Sequence, residues 1–247
     1  MPDVPADPYA SEAVATALPA ATVVPLRDGP DGLETVLLRR DKGLTFAGGL
    51  WVWPGGRIED DDGPSGGDDP MAALERAARV AGARETLEES GLVVEPDELV
   101  WFAHFTPPIG PERRYATFFF ATAVGRDVVV RPDGMEVHEH RWFTPERALA
   151  ACRAGEIGLS PPTWIVLEWL ASYPDTATAL QTFTAGVPQW CVTKFGRVEG
   201  GMVAMYHGDA GYDTDDPETQ GDRHRLLMLD SGWRYERTNW PEREGTT

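Results

Sequence analysis

Apolar residues gather in short runs rather than long spans from about residue 19 onward. Ala21 to Leu26 (ATVVPL) and Thr35 to Arg40 (TVLLRR) read as strands, and the separator Arg27-Asp28-Gly29-Pro30-Asp31-Gly32 carries two turn signals, so a hairpin is predicted. Leu50 to Trp53 is a short apolar strand running into Pro54-Gly55-Gly56. The stretch from Glu59 to Asp69 (EDDDGPSGGDD) offers nothing to bury and predicts a solvated loop. At Pro70 the period becomes helical and holds to about Ser90, with proline in the first turn and Gly91 just past the end. Leu74, Ala78, Ala81 and Leu87 supply its apolar face, and Gly82 interrupts the middle.

Leu99 to Phe105, Tyr115 to Val124 and Glu139 to Phe143 are strand-like, and Thr106-Pro107-Pro108-Ile109-Gly110-Pro111 is a rigid turn between the first two. Pro145 to Ala154 and Pro162 to Tyr173 read as helices. The last seventy residues alternate short strand signals (WCVTKF, GMVAMY, RLLML, WRYER) with acidic Gly/Asp loops. Helix and strand mixed in this order indicate an α/β or α+β domain. The expected organisation is a loose lead-in over 1–18, the main domain over 19–175, and a β-rich C-terminal extension over 176–247 packed on the same domain.

Composition fits a folded chain: 42% of the 247 residues are hydrophobic and 25% are charged. With 22 basic against 40 acidic residues, the formal net charge is −18. Such a surface repels phosphate backbones and anionic lipid, so nucleic acid and membranes are not expected partners. A small anionic ligand remains open, because a divalent cation inverts the local sign. Two cysteines, Cys152 and Cys191, are too few for a disulfide framework and lack zinc-site spacing, so both are expected as buried thiols in a reducing compartment. The N-terminus has neither a basic segment nor an apolar core for a secretory leader, and no apolar stretch reaches the ~18 residues of a membrane span, so a cytoplasmic location is expected. A homodimer is an admitted assembly.

Candidate chemistry concentrates in Arg84-Glu85-Thr86-Leu87-Glu88-Glu89-Ser90-Gly91-Leu92. On a helix, Glu85, Glu88 and Glu89 stand at i, i+3 and i+4 and share a face. Like charges at that spacing repel, and Mg²⁺ or Mn²⁺ with oxygen ligands would relieve the repulsion. Arg84 can brace the cluster. A solvated acidic face is the competing reading for the triplet alone. Upstream, the paired glycines Gly55 and Gly56 permit unusual backbone conformations and close approach of a phosphate or metal.

From Gly56 through Glu85, Glu88, Glu89, Gly91 and Leu92 the chain resembles the Nudix box. Arg84, Glu85, Glu88, Glu89, Gly91 and Leu92 fall on its fixed positions, and Thr86 takes the hydrophobic one. Gly56 and Arg84 lie 28 positions apart where an uninterrupted box has 14, so 14 residues are inserted. Asp62 has the right distance from Gly56 for the first acid of the box; Arg76 holds the right distance before Arg84, and Glu75 is one residue off. The interrupted box with Trp53-Pro54-Gly55-Gly56, together with Leu37-Leu38-Arg39-Arg40 and Thr106-Pro107-Pro108 followed by Arg113-Arg114-Tyr115, resembles a subgroup related to the peroxisomal coenzyme A diphosphatases.

That resemblance implies an α/β/α sandwich with a mixed sheet and a Mg²⁺- or Mn²⁺-dependent hydrolase of the diphosphate linkage in a small nucleotide derivative. Coenzyme A or acyl-CoA is the first substrate expectation, then ADP-ribose or NADH. Glu85, Glu88 and Glu89 would hold metal, and Glu85 or Glu89 would accept the proton of the attacking water. A further acid from a distant loop would be Glu136 or Glu139, and Gly55, Gly56, Arg40 and Arg114 would contact the substrate. Trp51, Trp53 and Phe46 are core candidates that could stack on adenine, and His104, His138 and His140 lack ligand spacing. The alternative is a Nudix-like ligand-binding or regulatory domain without catalysis, which could dispense with a costly carboxylate cluster.

Overall fold

The computed structural model describes residue 14 and residues 16–43, 47–63, 69–110 and 113–238. Two compact units emerge: one comprises 18–103 and 117–188, and the other gathers 1–17, 104–116 and 189–247.

In the first unit, β1 (Leu18–Gly29) and β2 (Gly32–Arg40) form the expected hairpin, paired antiparallel with Leu26 opposite Thr35. They are joined by β3 (Trp51–Val52), β4 (Gly55–Arg57), the start of β5 (Val100–Thr106) up to Ala103, β6 (Tyr115–Ala123) from Thr117 onward, and β7 (Val137–Phe143). The sheet runs β3-β2-β1-β6-β5, with β4 pairing β1 and β7 pairing β2. Trp51 and Trp53 are core residues here: both are buried, Trp51 meets Phe143 edge-on, and Trp53 donates its indole N–H to Thr35 Oγ1 at 2.8 Å. Phe46 lies outside the described residues.

Helix α1 (Pro70–Ser90) packs on β1. Asp69 caps its N-terminus by accepting from Met71 N and Ala72 N, and Gly91, at φ 69°, closes the other end in the left-handed region. The buried face is made of small residues, Ala73, Ala77, Ala78, Ala81 and Gly82, while Leu87 is 51% exposed and does not join the core. The reason is closeness: a Cβ on Gly82 would sit 2.9 Å from Val23 Cγ2, so the helix rests almost directly on the strand. Thr86 fills its hydrophobic position fully buried, with its hydroxyl donating to Gly82 O at 2.7 Å. Helices α2 (Pro145–Arg153) and α3 (Pro161–Leu170) follow, with Thr144 and Ser160 as caps.

A third later helix, α4 (Thr176–Ala185), opens the C-terminal part expected to be β-rich, ahead of its strands. Asp175 caps it through Thr178 N, and Phe183 stacks on Phe102 with ring centres 4.5 Å apart. Without charged residues to mark a polar face, its ten residues show no helical contrast.

The second unit holds β8 (Gln189–Val192) and an antiparallel meander of β9 (Lys194–Val198), β10 (Gly201–Met205), β11 (His224–Leu229) and β12 (Gly232–Arg237), in the order β12-β11-β10-β9. Val203, Met205 and Leu227 form its core on one face. Cys191 is buried, whereas Cys152, in the first unit, is only partly so; both are free thiols. No helix among the described residues is long and apolar enough to cross a membrane.

Candidate active site

Position in the sheet decides where the site forms. β4 pairs with β1 so that Gly56 lies opposite Ala21 and Gly55 opposite Thr22, which brings both glycines under the last turns of α1. Neither glycine has a positive φ, so their use here is close approach and not an unusual backbone conformation. A Cβ on Gly56 would lie 2.2 Å from Glu85 Oε1, so the bare backbone makes room for that carboxylate. Gly55 N donates to Glu89 Oε2 at 3.0 Å.

Arg84 braces the cluster from the other side. Its Nε and Nη2 grip Asp62 Oδ1 and Oδ2, each at 2.9 Å, while Nη1 donates to Glu85 at 2.8 Å and to Glu88 at 3.3 Å. Two parallel bonds of this kind need a planar fork facing a planar carboxylate. Asp62 is 5% exposed and also accepts from Glu59 N at 2.8 Å, within a short 3₁₀ turn over Asp60–Asp62. The expectation of a wholly solvated loop from Glu59 to Asp69 is therefore wrong at its start: the Arg84 guanidinium draws one of the three aspartates inward. Of the two acids weighed for the first acid of the box, Asp62 is the one that meets Arg84; Glu75 pairs with Arg79 at 2.6 Å. Two signals were available in the sequence, the distance from Gly56 and the acid-rich turn, but spacing alone could not rank Asp62 over Glu75.

Arg40 reaches the cluster from the end of β2. Its Nη1 donates to Glu89 Oε1 at 3.3 Å and its Nη2 to Glu136 Oε2 at 2.7 Å, while its buried Nε has no hydrogen-bond partner among the described residues. Glu136 thus joins Glu85 and Glu89. Glu139 does not: it pairs with Arg39 at 3.1 Å and with Arg141 at 3.3 Å. The split follows from register, because Arg39 faces Glu139 across the β2–β7 ladder, and a bulge then sets Arg40 opposite Val137. Arg114 belongs to the second unit, where it is buried and donates to Pro107 O at 3.2 Å and to the Thr16 hydroxyl. His104 is likewise in that unit, stacked on Trp190, and His138 pairs with Asp41 at 3.0 Å.

Electrostatically the cluster is short of positive charge. Burial pushes the Glu89 carboxyl up to about 7; Gly55 N–H and Arg40 offset part of this, and the neighbouring Glu85 and Glu136 add to it. Burial also raises Glu85, against the pull of Arg84. Asp62 is lowered: burial opposes the shift, but the bonds from Arg84 outweigh it. Among the described residues, no three acidic, histidine or cysteine side chains already converge as a ligand set, each carboxylate being turned to an arginine or backbone donor. The donor chemistry nevertheless fits a hard divalent cation: oxygen-only groups, in excess over the local guanidinium groups, on one helical face beside a backbone that Gly56 leaves bare.

The NUDIX domain family model matches residues 17–170. Among curated proteins, the acyl-coenzyme A diphosphatase NUDT19 of Xenopus laevis is 27% identical over 135 residues, covering 51% of this chain and 35% of that protein, so the match spans about a third of the relative's length. Among solved structures, a NUDIX hydrolase from Alicyclobacillus acidocaldarius superposes with a TM-score of 0.58 at 25% identity, covering 69% of this chain and 98% of the other. A MutT protein from Methanosarcina mazei Go1 is 20% identical with a TM-score of 0.43, over 62% of this chain and 92% of the other. With the box residues gathered on α1 and the family model matching well over half of its length, the chain belongs to the Nudix family.

Proposed function

We propose that this protein hydrolyses the diphosphate linkage of a small nucleotide derivative with the help of Mg²⁺ or Mn²⁺, with coenzyme A or an acyl-CoA as the first substrate. The observation that carries this reading is the charge-deficient carboxylate face of α1 over Gly56, on which Glu89 is buried, Glu85 half-buried and Glu88 exposed. Glu85, Glu88 and Glu89 would hold the cation, with Glu136 as the acid from outside the helix. A divalent cation bound there supplies charge neutralisation for the diphosphate and a more acidic water. Glu85 or Glu89, held against Gly56 and Gly55, would take the proton of the attacking water. Arg40, whose Nη1 and Nη2 lie against Glu89 and Glu136, carries a guanidinium that would meet phosphate oxygens at the cluster. The substrate guess draws on the acyl-coenzyme A diphosphatase relative and on the Trp53-Pro54-Gly55-Gly56 context of the interrupted box. The net charge of −18 supports a small substrate over nucleic acid, and the two free thiols support a reducing compartment such as the cytoplasm.

The test is direct. Purified protein is incubated with coenzyme A, acyl-CoA, ADP-ribose, NADH and nucleoside triphosphates, with and without Mg²⁺ or Mn²⁺, and products are identified by mass. Cation-dependent cleavage between the two linked phosphates of at least one compound is expected, coenzyme A giving adenosine 3′,5′-bisphosphate and phosphopantetheine, and ADP-ribose or NADH giving a nucleoside monophosphate. Tight binding of these compounds with no product in any arm would replace catalysis with a ligand-binding role.

A further inference from the structure

Glu136 stands in an exposed turn, an unpromising place from which to hold a charge beside buried carboxylates. The turn is gathered by one side chain. Asp133 Oδ1 accepts from three nearby backbone N–H groups: Met135 at 2.9 Å, Glu136 at 3.1 Å and Val137 at 2.9 Å. Gly134 N closes the loop on Val137 O at 3.0 Å, and Gly134 takes φ 75°, where a Cβ would be strained. Asp41 N then ties Glu136 O to the end of β2 at 2.8 Å. The outcome is that the Glu136 carboxylate meets Arg40 at 2.7 Å, on the same guanidinium that holds Glu89.

We infer that Asp133 is a positioning residue for the hydrolytic site: by collecting the N–H groups of Met135, Glu136 and Val137, it fixes the direction in which Glu136 enters the carboxylate cluster. Nothing in the Nudix box marks it, since it lies more than forty residues beyond Leu92. Its effect passes through backbone N–H groups: Oδ1 accepts from all three, and Oδ2 adds a longer bond from Glu136 N at 3.4 Å, so one acceptor oxygen carries most of it. The inference rests on the reading of Glu136 as part of the metal-binding site.

Two readouts test it in the full chain: steady-state hydrolysis of the best diphosphate substrate, and Mn²⁺ affinity by electron paramagnetic resonance without substrate. Asp133→Ala is expected to lower kcat by ~10-fold with little change in KM, because a carboxylate misplaced by about 1 Å costs that much or more. It should weaken Mn²⁺ binding while leaving the melting temperature nearly unchanged. Asp133→Asn keeps an acceptor oxygen and should restore most of the loss. Gly134→Val disturbs the same turn by a separate route and should reproduce it. In a Glu136→Gln background, Asp133→Ala should cost nothing more, since the group it positions is gone. Loss in Glu136→Gln with wild-type behaviour in both Asp133→Ala and Gly134→Val would overturn the inference and leave the site reading standing. Wild-type behaviour in Glu136→Gln, with Glu88→Gln inactive, would remove Glu136 and Asp133 from the site together and leave the hydrolase standing. Should no substrate turn over, Mn²⁺ affinity still decides: unchanged affinity in Asp133→Ala beside weakened affinity in Glu136→Gln would overturn it.

Discussion

Of the places where the described residues bury a carboxylate, two treat the charge in opposite ways. In the second unit, Asp209 is closed on all sides. Its two oxygens take Arg225 Nε and Nη2 at 2.6 and 2.5 Å, together with the N–H groups of Gly211 and His224 at 2.8 and 2.9 Å, and Arg225 sends its remaining nitrogen to Pro217 O. The bonds outweigh burial, and Asp209 titrates below its ordinary range. In the first unit, Glu85, Glu88, Glu89, Glu136 and Asp62 share the guanidinium groups of Arg40 and Arg84. There burial wins at Glu89, and its carboxyl rises. A buried charge that is fully paired holds a fold together. A set of charges left unmatched in a well-ordered frame is prepared for something from outside.

The widest gap between the two should appear on substitution. Glu88→Gln and Glu89→Gln are expected to fold and to lose at least ~10²-fold in kcat, comparable to removing one charge contact made in the transition state. Near wild-type turnover of either at saturating cation would place the chemistry elsewhere. Asp209→Asn should do the reverse and act on stability. Removing one member of a buried, hydrogen-bonded pair strands the other, at a cost of about 3 kcal/mol. Urea unfolding reads this out, and an unchanged midpoint would make the Asp209–Arg225 pair dispensable.

Sequence carried the first of these sites and hid the second, for a physical reason. Glu85, Glu88 and Glu89 lie within one helical turn, so local spacing alone puts them on one face. Asp209 and Arg225 meet across 16 residues through a turn with no periodicity. Intermediate cases follow the same logic. The strands and the capped helix α1 were legible because alternation, Pro70 and Gly91 are local signals, whereas the choice of Glu136 over Glu139 depends on a bulge between β2 and β7. Asp62 needed Arg84 to be seen beside it.

Cation binding sharpens the contrast at a smaller scale. A divalent ion that binds the folded site and not the unfolded chain stabilises by RT ln(1 + [L]/Kd), about 2.7 kcal/mol at a hundredfold excess over Kd. Millimolar Mg²⁺ or Mn²⁺ should therefore raise the melting temperature by several degrees, and monovalent salt of matched ionic strength should do much less. The gain should vanish in a Glu85→Gln/Glu88→Gln/Glu89→Gln variant and persist in Asp209→Asn. Equal stabilisation of the triple variant would mean that the ion acts on the general acidic surface.

The smallest effect is a pair of opposite slopes with pH. Burial lowers His104 and His224, both in the second unit, to about 3 in the folded protein. The unfolded chain, with imidazoles near 6.5, then takes up protons first as the pH falls. That part of the stability is complete above about pH 6.5 and is lost progressively toward pH 3. Glu89 runs the other way. Its folded value of about 7 lies above the usual 4.5, so the folded state binds the proton first, and its contribution grows as pH falls from 7 toward 4.5. Neither slope can exceed about 1.4 kcal/mol per pH unit per group. Peptide-resolved hydrogen exchange between pH 5.5 and 7.5, corrected for intrinsic rates and measured without divalent cations, should show protection of β10 and β11 weakening on acidification while that of the last turns of α1 strengthens. Glu89→Gln should flatten the second slope and leave the first intact. Parallel slopes in the two units would show that their buried charges are not handled differently after all.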